Sequence, residues 1–318
     1  MTSPDLLAGL RAGLLVGPTA SGKSALALAL AEREGAEIVS LDSMQVYRGM
    51  DVGTAKPAPA ERARVRHHML DLVGPEERYD VQRYLADLAP VVDDLRARGA
   101  RVLFTGGTGF YLKALLAGLH AGPPADPGLR ARLEARAREL GAEALHRELA
   151  GVDPASAARI HAHDVRRVVR ALEVREQTGE PLSSRQREWG WHGARPAPRT
   201  SVPIVGLDRP DGELDARIAG RARAMLDAGW VEEALAIRDG PGFGETAVQA
   251  LGYREVLALA DGRLDREACL RSIALRTRRF ARKQRTWYRK IPGVRWIAPG
   301  DQSAIIDLPR TLGFIDSG

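Results

Sequence analysis

The sequence predicts an α/β fold in which a parallel sheet is interrupted by an all-helical insertion and followed by further helices. Three observations lead to this class. Short apolar runs alternate with helical segments in the first part of the chain, which is the pattern of a parallel sheet with crossover helices. Residues 129–177 are rich in Arg and Glu and lack a convincing strand, whereas strand character returns at 200–208. We therefore expect one domain formed by 1–121 and 199–318, and a helical insertion at 122–198.

Each predicted strand is a short apolar run that ends near glycine or another turn residue. In chain order, the predicted strands are 12–17, 36–43, 67–73, 101–107 and 200–208. Helical periodicity and Ala/Leu-rich composition predict helices at 24–33, 81–98, 110–119, 129–177, 213–238, 245–260 and 265–290. Gly35 and Gly99 end the first two of these helices. The segments AGPPADPG at 121–128 and WGWHGARPAPRTS at 189–201 break the pattern and delimit the insertion.

The composition is that of a folded protein without a membrane segment. Its 318 residues suggest about two domains, and the shares of hydrophobic (44%) and charged (28%) residues exclude a disordered or fibrous chain. No stretch reaches the roughly 18 apolar residues of a membrane span, and the first residues lack the basic start of a secretory signal. The single cysteine, Cys269, excludes a disulfide framework and a cysteine-based zinc site. We therefore expect a cytoplasmic protein, with a monomer as the default.

The segment GPTASGKS follows the first predicted strand and opens the first helix, as the phosphate-loop motif G-x-x-x-x-G-K-[ST] does. Its glycines allow backbone N–H groups to face a phosphate, and the helix N-terminus adds partial positive charge. Lys23 adds a full charge, and the hydroxyl of Ser24 is suited to bind Mg²⁺. We therefore expect a core like that of the P-loop NTPases. The residues expected around a phosphate group are Gly17, Pro18, Thr19, Ala20, Ser21, Gly22, Lys23 and Ser24.

A carboxylate is expected beside this loop, but it does not follow the strand at 101–107, which ends in Thr and Gly. Asp42 instead follows the second predicted strand. Because the carboxyl ends of parallel strands line one crevice, Asp42 is expected to face the phosphate site. It could bind a metal ion or act as a base toward an acceptor, and the alternative is a helix N-cap or turn residue.

Two further features could serve a phosphate group. GGTGFY at 106–111 is a second glycine-rich turn, in which Thr108 either bonds a phosphate or leaving oxygen or only caps the helix. In the amphipathic segment 214–234, Arg217 and Arg221 lie four residues apart on one face. Arginine directed at a diphosphate would neutralise its charge, and the alternative is a solvated basic stripe. The sequence does not distinguish Arg217 from Arg221 as the main ligand.

The last predicted helix carries the strongest electrostatic signal in a chain of net charge +6. Residues 271–290 contain nine basic side chains and no Asp or Glu. Phe280, Trp287 and Tyr288 lie among them. A basic helix with interleaved aromatic residues suits an RNA backbone and stacked bases, whereas an exposed basic helix with core aromatics is the alternative.

Six segments occur in a fixed order along the chain. They are GPTASGKS (17–24), IVSLDSMQVYRGMDVGTAKP (38–57), GGTGFYLKALLAGL (106–119), HDVRRVVRALEV (163–174), QALGYRE (249–255) and TRRFARKQRTWYRK (277–290). Together they closely resemble the bacterial tRNA dimethylallyltransferases, from about residue 12 to about residue 297. The stretch DSMQVYRGMDVGTAKP is highly specific, since we know no kinase family that contains it.

The resemblance implies a phosphate-loop α/β core and an inserted helical domain that grip the anticodon stem-loop of a tRNA. The implied reaction transfers the dimethylallyl group of dimethylallyl diphosphate to N6 of adenosine 37 in tRNAs that read codons starting with U. The loop would hold the prenyl diphosphate rather than ATP for hydrolysis, with Mg²⁺ assisting. Asp42 would bond N6 and take its proton, and the diphosphate ligands would be Thr19, Lys23, Ser24, Thr108, Arg217 and Arg221.

The resemblance and the basic helix together assign the expected tRNA contacts. These are Asp42, Ser43, Met44, Gln45, Thr108, Arg130, Arg166, Arg167, Val168, Val169, Arg170, Gln249, Gly252, Tyr253, Arg254, Arg278, Arg282, Lys283 and Gln284. The first alternative is an adenylate dimethylallyltransferase that prenylates AMP, ADP or ATP. It would have less need for the basic helix and the insertion. A P-loop kinase or a non-catalytic RNA-binding protein is a further alternative, and the kinase would lack its usual second carboxylate.

Overall fold

The computed structural model describes residues 5–118, 122–185 and 202–314. The described residues divide into two compact units. The α/β unit contains 5–116 and 202–314, and the helical unit contains the described residues from 117 to 185. The first division lies a few residues before the expected start of the insertion. The expected end of the insertion at 198 lies outside the described residues.

A six-stranded parallel sheet forms the centre of the α/β unit. Its strands are β1 Arg11–Val16, β2 Ala36–Ser40, β3 His67–His68, β4 Arg101–Gly106, β5 Ile204–Leu207 and β6 Val294–Ile297. The spatial order is β3-β2-β4-β1-β5-β6. Because β1 pairs with β4 and β4 with β2, the turns that follow these three strands lie side by side at one edge of the sheet. The α/β class is therefore confirmed.

The helices of the α/β unit fall into two groups along the chain. The first group is α1 Lys23–Glu34, α2 Pro59–Arg64, α3 Val81–Ala97 and α4 Gly109–Ala117, whose last residue is assigned to the helical unit. The second group is α10 Asp211–Asp227, α11 Trp230–Asp239, α12 Tyr253–Ala260, α13 Arg266–Tyr288, α14 Gln302–Ile306 and α15 Leu308–Thr311, together with a 3₁₀ turn at Ala247–Gln249. Helices α5 to α9 belong to the helical unit and are described below.

A mainly apolar core holds this unit together. One buried cluster joins Leu15 of β1, Leu103 of β4 and Leu30 of α1. Leu312 and Phe314, which follow α15, belong to the same cluster. The last described residues therefore pack on the same sheet that carries the glycine-rich turns.

The helical unit has its own core. Its helices are α5 Pro127–Leu140, α6 Ala142–Val152, α7 Pro154–Ala157, α8 Val165–Thr178 and α9 Leu182–Arg185. Leu133, Leu149 and Val168 belong to one buried cluster within it. Its described residues contain no strand, as the sequence analysis predicted. In the described part of the whole chain, no helix is long and apolar enough to cross a membrane.

Candidate active site

The phosphate-loop segment, residues 17–24, joins β1 to α1, which begins at Lys23. Gly22 and Ala20 adopt left-handed φ values of 97° and 64°. A Cβ atom on Gly17 would lie only 2.7 Å from the backbone oxygen of Leu207 at the end of β5. The segment therefore needs glycine both for its turn and for close contact with the next strand.

Lys23, the first residue of α1, has two charged neighbours that affect its pKa. The pKa of Lys23 is lowered from 10.5 to about 8, mainly by burial and also by the positive charge of Arg221, whereas the Asp42 carboxylate opposes the shift. Burial also lowers the pKa of Arg221, and Asp42 again opposes the shift. Lys23, Arg221 and Asp42 line one cavity, so two cations and one carboxylate lie close together. An anion such as a diphosphate would complete the charge balance of this group.

Arg217 and Arg221, both on α10, contact the phosphate loop. The Nε of Arg217 donates to the backbone oxygen of Ala20 at 2.8 Å. The Nη1 of Arg221 donates to Oγ1 of Thr19 at 3.1 Å. The two arginines therefore share one face of α10 as predicted, and both contact the loop, Arg217 while remaining exposed.

Arg209 is a third arginine at the loop, which the sequence analysis missed. Its Nε donates to the backbone oxygen of Ser21 at 2.7 Å, and its guanidinium pairs with Glu213. It follows the carboxyl end of β5, and the strand-end rule that selected Asp42 would also have selected Arg209.

Asp42 lies two residues beyond β2 in the adjoining turn. Its Oδ1 accepts a hydrogen bond from the backbone N–H of Met44 at 2.9 Å. The turn-residue alternative is thus correct for one carboxylate oxygen. The other oxygen, Oδ2, lies 3.9 Å from the position that a Cβ atom on Gly107 would occupy. Asp42 therefore faces the second glycine-rich turn.

Thr108 holds the turn that contains Asp42. Its Oγ1 accepts from the backbone N–H of Ser43 at 2.9 Å and donates to Oγ of Ser43 at 3.2 Å. Its backbone N–H donates to the oxygen of Leu41 at 3.0 Å. The hydroxyl thus bonds a neighbouring turn, and the predicted phosphate contact stays a prediction.

Two adjoining cavities open around these residues. The larger, the phosphate-loop cavity, has a volume of about 670 Å³ and includes Lys23, Ser24 and Arg217 in its lining. The smaller, the apolar cavity, has a volume of about 260 Å³ and is lined mainly by apolar residues of α10, α13 and the turn after β2. The residues that line both are Thr19, Asp42, Thr54, Gly107, Arg221 and Phe280. Asp42 therefore lies where a charged cavity meets an apolar one.

The residues present could contribute to a magnesium site but could not complete one. No group of three or more His, Cys, Asp or Glu side chains that could hold a metal ion occurs among the described residues. Ser24 is exposed at the first turn of α1 and lines the phosphate-loop cavity. Mg²⁺ commonly takes only one or two protein ligands and completes its shell with phosphate oxygens and water. Ser24 fits that arrangement.

Comparison of the sequence with known proteins identifies the family of this chain. A model of the IPP transferase family matches residues 45–291. The chain belongs to the IPP transferase family. It is 48% identical to the tRNA dimethylallyltransferase of Anaeromyxobacter dehalogenans strain 2CP-C, over 91% of this chain and 95% of that one. The enzyme of the same name from Rhodococcus jostii is 44% identical, over 98% and 97% of the two chains.

Solved structures of this family share the fold. The full-length tRNA isopentenylpyrophosphate transferase of Bacillus halodurans is similar with a TM-score of 0.67 and 33% identity, and the match covers 94% of each chain. A eukaryotic dimethylallyltransferase acting on tRNA is similar with a TM-score of 0.76 and 25% identity. That match covers 92% of this chain and 75% of the eukaryotic one.

The family segment at 38–57 is held by ionic contacts of a buried lysine that the sequence analysis did not anticipate. The side chain of Lys56 is fully buried. It donates to the backbone oxygen of Tyr47 at 2.7 Å and pairs with Asp51 at 2.5 Å and Asp71 at 2.6 Å. A buried ammonium group requires such partners, so Lys56 fixes the segment that follows Asp42.

Glu233 of α11 anchors the same segment from the other side. Its carboxylate accepts from the backbone N–H groups of Asp51, Val52 and Gly53 at 2.7, 2.6 and 2.9 Å. It also accepts from the hydroxyl of Tyr253 at 2.6 Å. Glu233 has no sequence signal of its own, because it acts through contacts with residues about 180 positions away. Lys56, by contrast, lies within the segment that carries the family resemblance.

Three of the residues expected to contact tRNA have buried side chains. The side chains of Val168 and Val169 are buried in the helical-unit core, and that of Tyr253 is buried beside Glu233. Contact of these three residues with RNA stays a prediction, and in this structure their side chains pack against protein. Gly252 adopts φ 98°, and a Cβ there would overlap the ring of Trp230.

The other expected contacts divide by exposure. Arg166, Arg167, Gln249 and Arg254 are exposed, and Ser43, Met44 and Gln249 line the apolar cavity. Gln45 lines the phosphate-loop cavity, where its Nε2 donates to the backbone oxygen of Ala55 at 3.2 Å. Arg130 and Arg170 pair with the buried carboxylate of Glu173 at 3.0 and 2.6 Å. Their RNA contacts stay predictions.

The basic residues of α13 and its C-terminal end serve two purposes. Four of them pair with acids on other elements: Arg276 with Glu255, Arg278 with Asp215, Arg285 with Asp208 and Asp211, and Arg289 with Asp208. The five that are exposed and make no ion pair with a described residue are Arg271, Arg279, Arg282, Lys283 and Lys290. Only this second set offers free positive charge to a nucleic acid.

Proposed function

We propose that this protein is a tRNA dimethylallyltransferase. It transfers the dimethylallyl group of dimethylallyl diphosphate to N6 of adenosine 37 in tRNAs that read codons starting with U, and it releases diphosphate. The observation that carries the proposal is the position of Asp42 between the phosphate-loop cavity and the apolar cavity. The names and extensive similarity of the relatives support the same reaction.

The chemistry requires one nucleophile, one leaving group and one proton acceptor. The N6 nitrogen forms a bond to C1 of the prenyl group as the bond from C1 to the diphosphate oxygen breaks. The bonding electrons leave with the diphosphate, and N6 loses a proton to Asp42. Since the adenine amine is a weak nucleophile, the enzyme contributes positioning, charge neutralisation and a base.

The phosphate loop would bind the leaving diphosphate. Lys23 supplies charge, and the guanidinium groups of Arg217 and Arg221 already lie against the loop at Ala20 and Thr19. Ser24 would be the protein ligand of Mg²⁺. When bound, the ion would neutralise charge that develops on the diphosphate. The pKa of Lys23, lowered to about 8, indicates that its charge is poorly compensated by the protein's own groups, and a bound anion would raise that pKa.

The RNA would bind through its backbone and one extruded base. The exposed basic residues Arg279, Arg282 and Lys283 of α13 suit contacts to phosphates. Adenosine 37 must leave the stacked loop to reach the donor, as bases do in other base-modifying enzymes. Phe280 is 42% exposed and lines both cavities, so it offers an aromatic surface along this path.

A labelling experiment tests the proposal. Purified protein, Mg²⁺ and radiolabelled dimethylallyl diphosphate are mixed with an unmodified anticodon stem-loop that has adenosines at positions 36, 37 and 38, and in parallel with AMP. We expect label in the stem-loop only. Label in AMP would indicate an adenylate dimethylallyltransferase instead. No label in either acceptor, with folded protein and active donor, would contradict prenyl transfer.

A further inference from the structure

The side chain of Gln284 connects the two glycine-rich turns of the site. It is only 6% exposed, although it lies on the predicted RNA-binding helix α13. Its Oε1 accepts from the backbone N–H of Thr19 at 2.8 Å, and its Nε2 donates to the backbone oxygen of Gly107 at 2.7 Å. One partner can only donate and the other can only accept, so both together fix the orientation of the amide.

On the phosphate-loop side, this contact reaches an arginine. Thr19 donates its N–H to Gln284, and its Oγ1 accepts from Nη1 of Arg221 at 3.1 Å. The position of Thr19 therefore depends on Gln284, and the position of the Arg221 guanidinium depends on Thr19. Both Thr19 and Arg221 line the two cavities.

On the other side, the contact reaches Asp42. The carbonyl of Gly107 points to Gln284, and in a trans peptide the following N–H, that of Thr108, points the opposite way. That N–H donates to the oxygen of Leu41 at 3.0 Å, and Oγ1 of Thr108 accepts from the N–H of Ser43 at 2.9 Å. Leu41 and Ser43 are the two neighbours of Asp42 in the chain.

We propose that Gln284 is a positioning residue that sets the separation between Asp42 and the phosphate loop. The proposal rests on the proposed function, because that separation matters when Asp42 takes a proton while the loop holds the leaving group. Loss of the amide would leave the partly buried N–H of Thr19 and the buried carbonyl of Gly107 without this partner, so the two turns would move. Small displacements of reacting groups cost much of the rate advantage of a preorganised site.

The test uses two variants at this position and one control. Gln284→Met has a similar volume and makes neither hydrogen bond. Gln284→Glu keeps an acceptor for Thr19 but loses the donor to Gly107. Thr286→Ala is the matched control, because the Thr286 hydroxyl is exposed and donates only to the backbone oxygen of Arg282 within α13. For each variant we would measure the single-turnover rate and the affinities for dimethylallyl diphosphate and for the stem-loop.

We expect the single-turnover rate of Gln284→Met to fall roughly 100-fold, with both dissociation constants unchanged within about threefold. Amide hydrogen exchange at Thr19, measured by NMR, should become faster in Gln284→Met and stay slow in Gln284→Glu, even without substrate. A normal single-turnover rate in Gln284→Met would overturn the proposal. A loss confined to stem-loop affinity would overturn it as well, and would indicate that Gln284 contacts the RNA, as the sequence analysis expects. Absence of transfer by the unaltered protein would contradict the proposed function alone, since the exchange measurement reports on the contact without activity.

Discussion

The two glycine-rich turns of the site resemble each other in sequence but differ in what surrounds them. The turn at 17–24 and the turn at 106–109 each join a parallel strand to a helix, and their strands β1 and β4 are paired. The first turn borders a cavity of about 670 Å³. Gly106 and Gly107 of the second turn also line that cavity, but this turn is packed against α13 as well. A Cβ on Gly107 would lie 2.6 Å from Nε2 of Gln284, and one on Gly109 would lie 2.8 Å from the ring of Trp287.

The difference shows that glycine can leave room either for a bound anion or for another part of the protein. In the first turn, φ values such as 97° at Gly22 shape a surface that an anion could fill. In the second, glycine lets the protein itself approach, and Gly106 lies against the backbone of Leu41. We therefore expect substitution of Lys23 in the first turn to affect catalysis, and substitution of Gly106 in the second to affect stability.

The largest expected effect is at Asp42, which lies beside both turns. Asp42→Asn keeps an oxygen that can accept from the N–H of Met44 but cannot take a proton at the reaction's pH. We expect the single-turnover rate to fall by a factor of about 10² to 10⁴, the usual contribution of a general base. Stem-loop affinity, measured by filter binding, should be unchanged. Near-normal turnover would remove Asp42 from the role of base.

Lys23 tests the first turn directly. Lys23→Met should lower kcat/KM by a factor of about 10² to 10³, because one cation at the leaving group is lost. The melting temperature should not fall, since burial already disfavours the charge of Lys23 and lowers its pKa to about 8. Steady-state kinetics and thermal denaturation on the same preparation check both statements. A large drop in melting temperature would show that this turn is as structural as the second one.

Gly106 tests the second turn. In Gly106→Ala, the new Cβ would overlap the backbone of Leu41, which cannot shift without moving the end of β2. We expect the free energy of unfolding to fall by about 1–3 kcal/mol in urea denaturation, the range of overpacked cores. Gly212→Ala is the control, because nothing lies within 4 Å of its added Cβ. Equal stability of the two variants would show that the second turn adapts freely.

The smallest effect is a pH dependence of anion binding at the first turn. Free Lys23 loses its proton near pH 8, and a bound anion raises its pKa because the charges attract. Affinity for inorganic diphosphate should therefore be insensitive to Lys23 below pH 8, and above it should fall by up to about tenfold per pH unit. Isothermal titration between pH 7 and 9.5 measures this. Lys23→Arg, which stays charged, should abolish that slope, and a persistent slope in it would assign the titration elsewhere.

The sequence predicted the central strands of the sheet better than the edge strand β6 and the break between α10 and α11. Apolar runs located β1, β2, β4 and β5, because buried central strands need continuous apolar side chains. The edge strand β6 was missed, since three of its four residues are not fully buried and its sequence VRWI has no long apolar run. The single helix expected at 213–238 is two helices, α10 and α11, separated around Gly229 with φ 93°.

By itself, the sequence determined the residues of the phosphate loop, the presence of Asp42 after the second strand, and the family. These depend on motifs and strand ends, which are local in the chain. Only the tertiary structure decided which basic residues pair with acids and which residues expected to contact RNA have buried side chains. It alone also showed that Gln284 joins Thr19, 265 positions away in the chain, to Gly107, 177 positions away. The physical reason is that burial and hydrogen-bond partners are properties of the packed chain. A glutamine therefore looks the same in the sequence whether it faces solvent or holds two turns together.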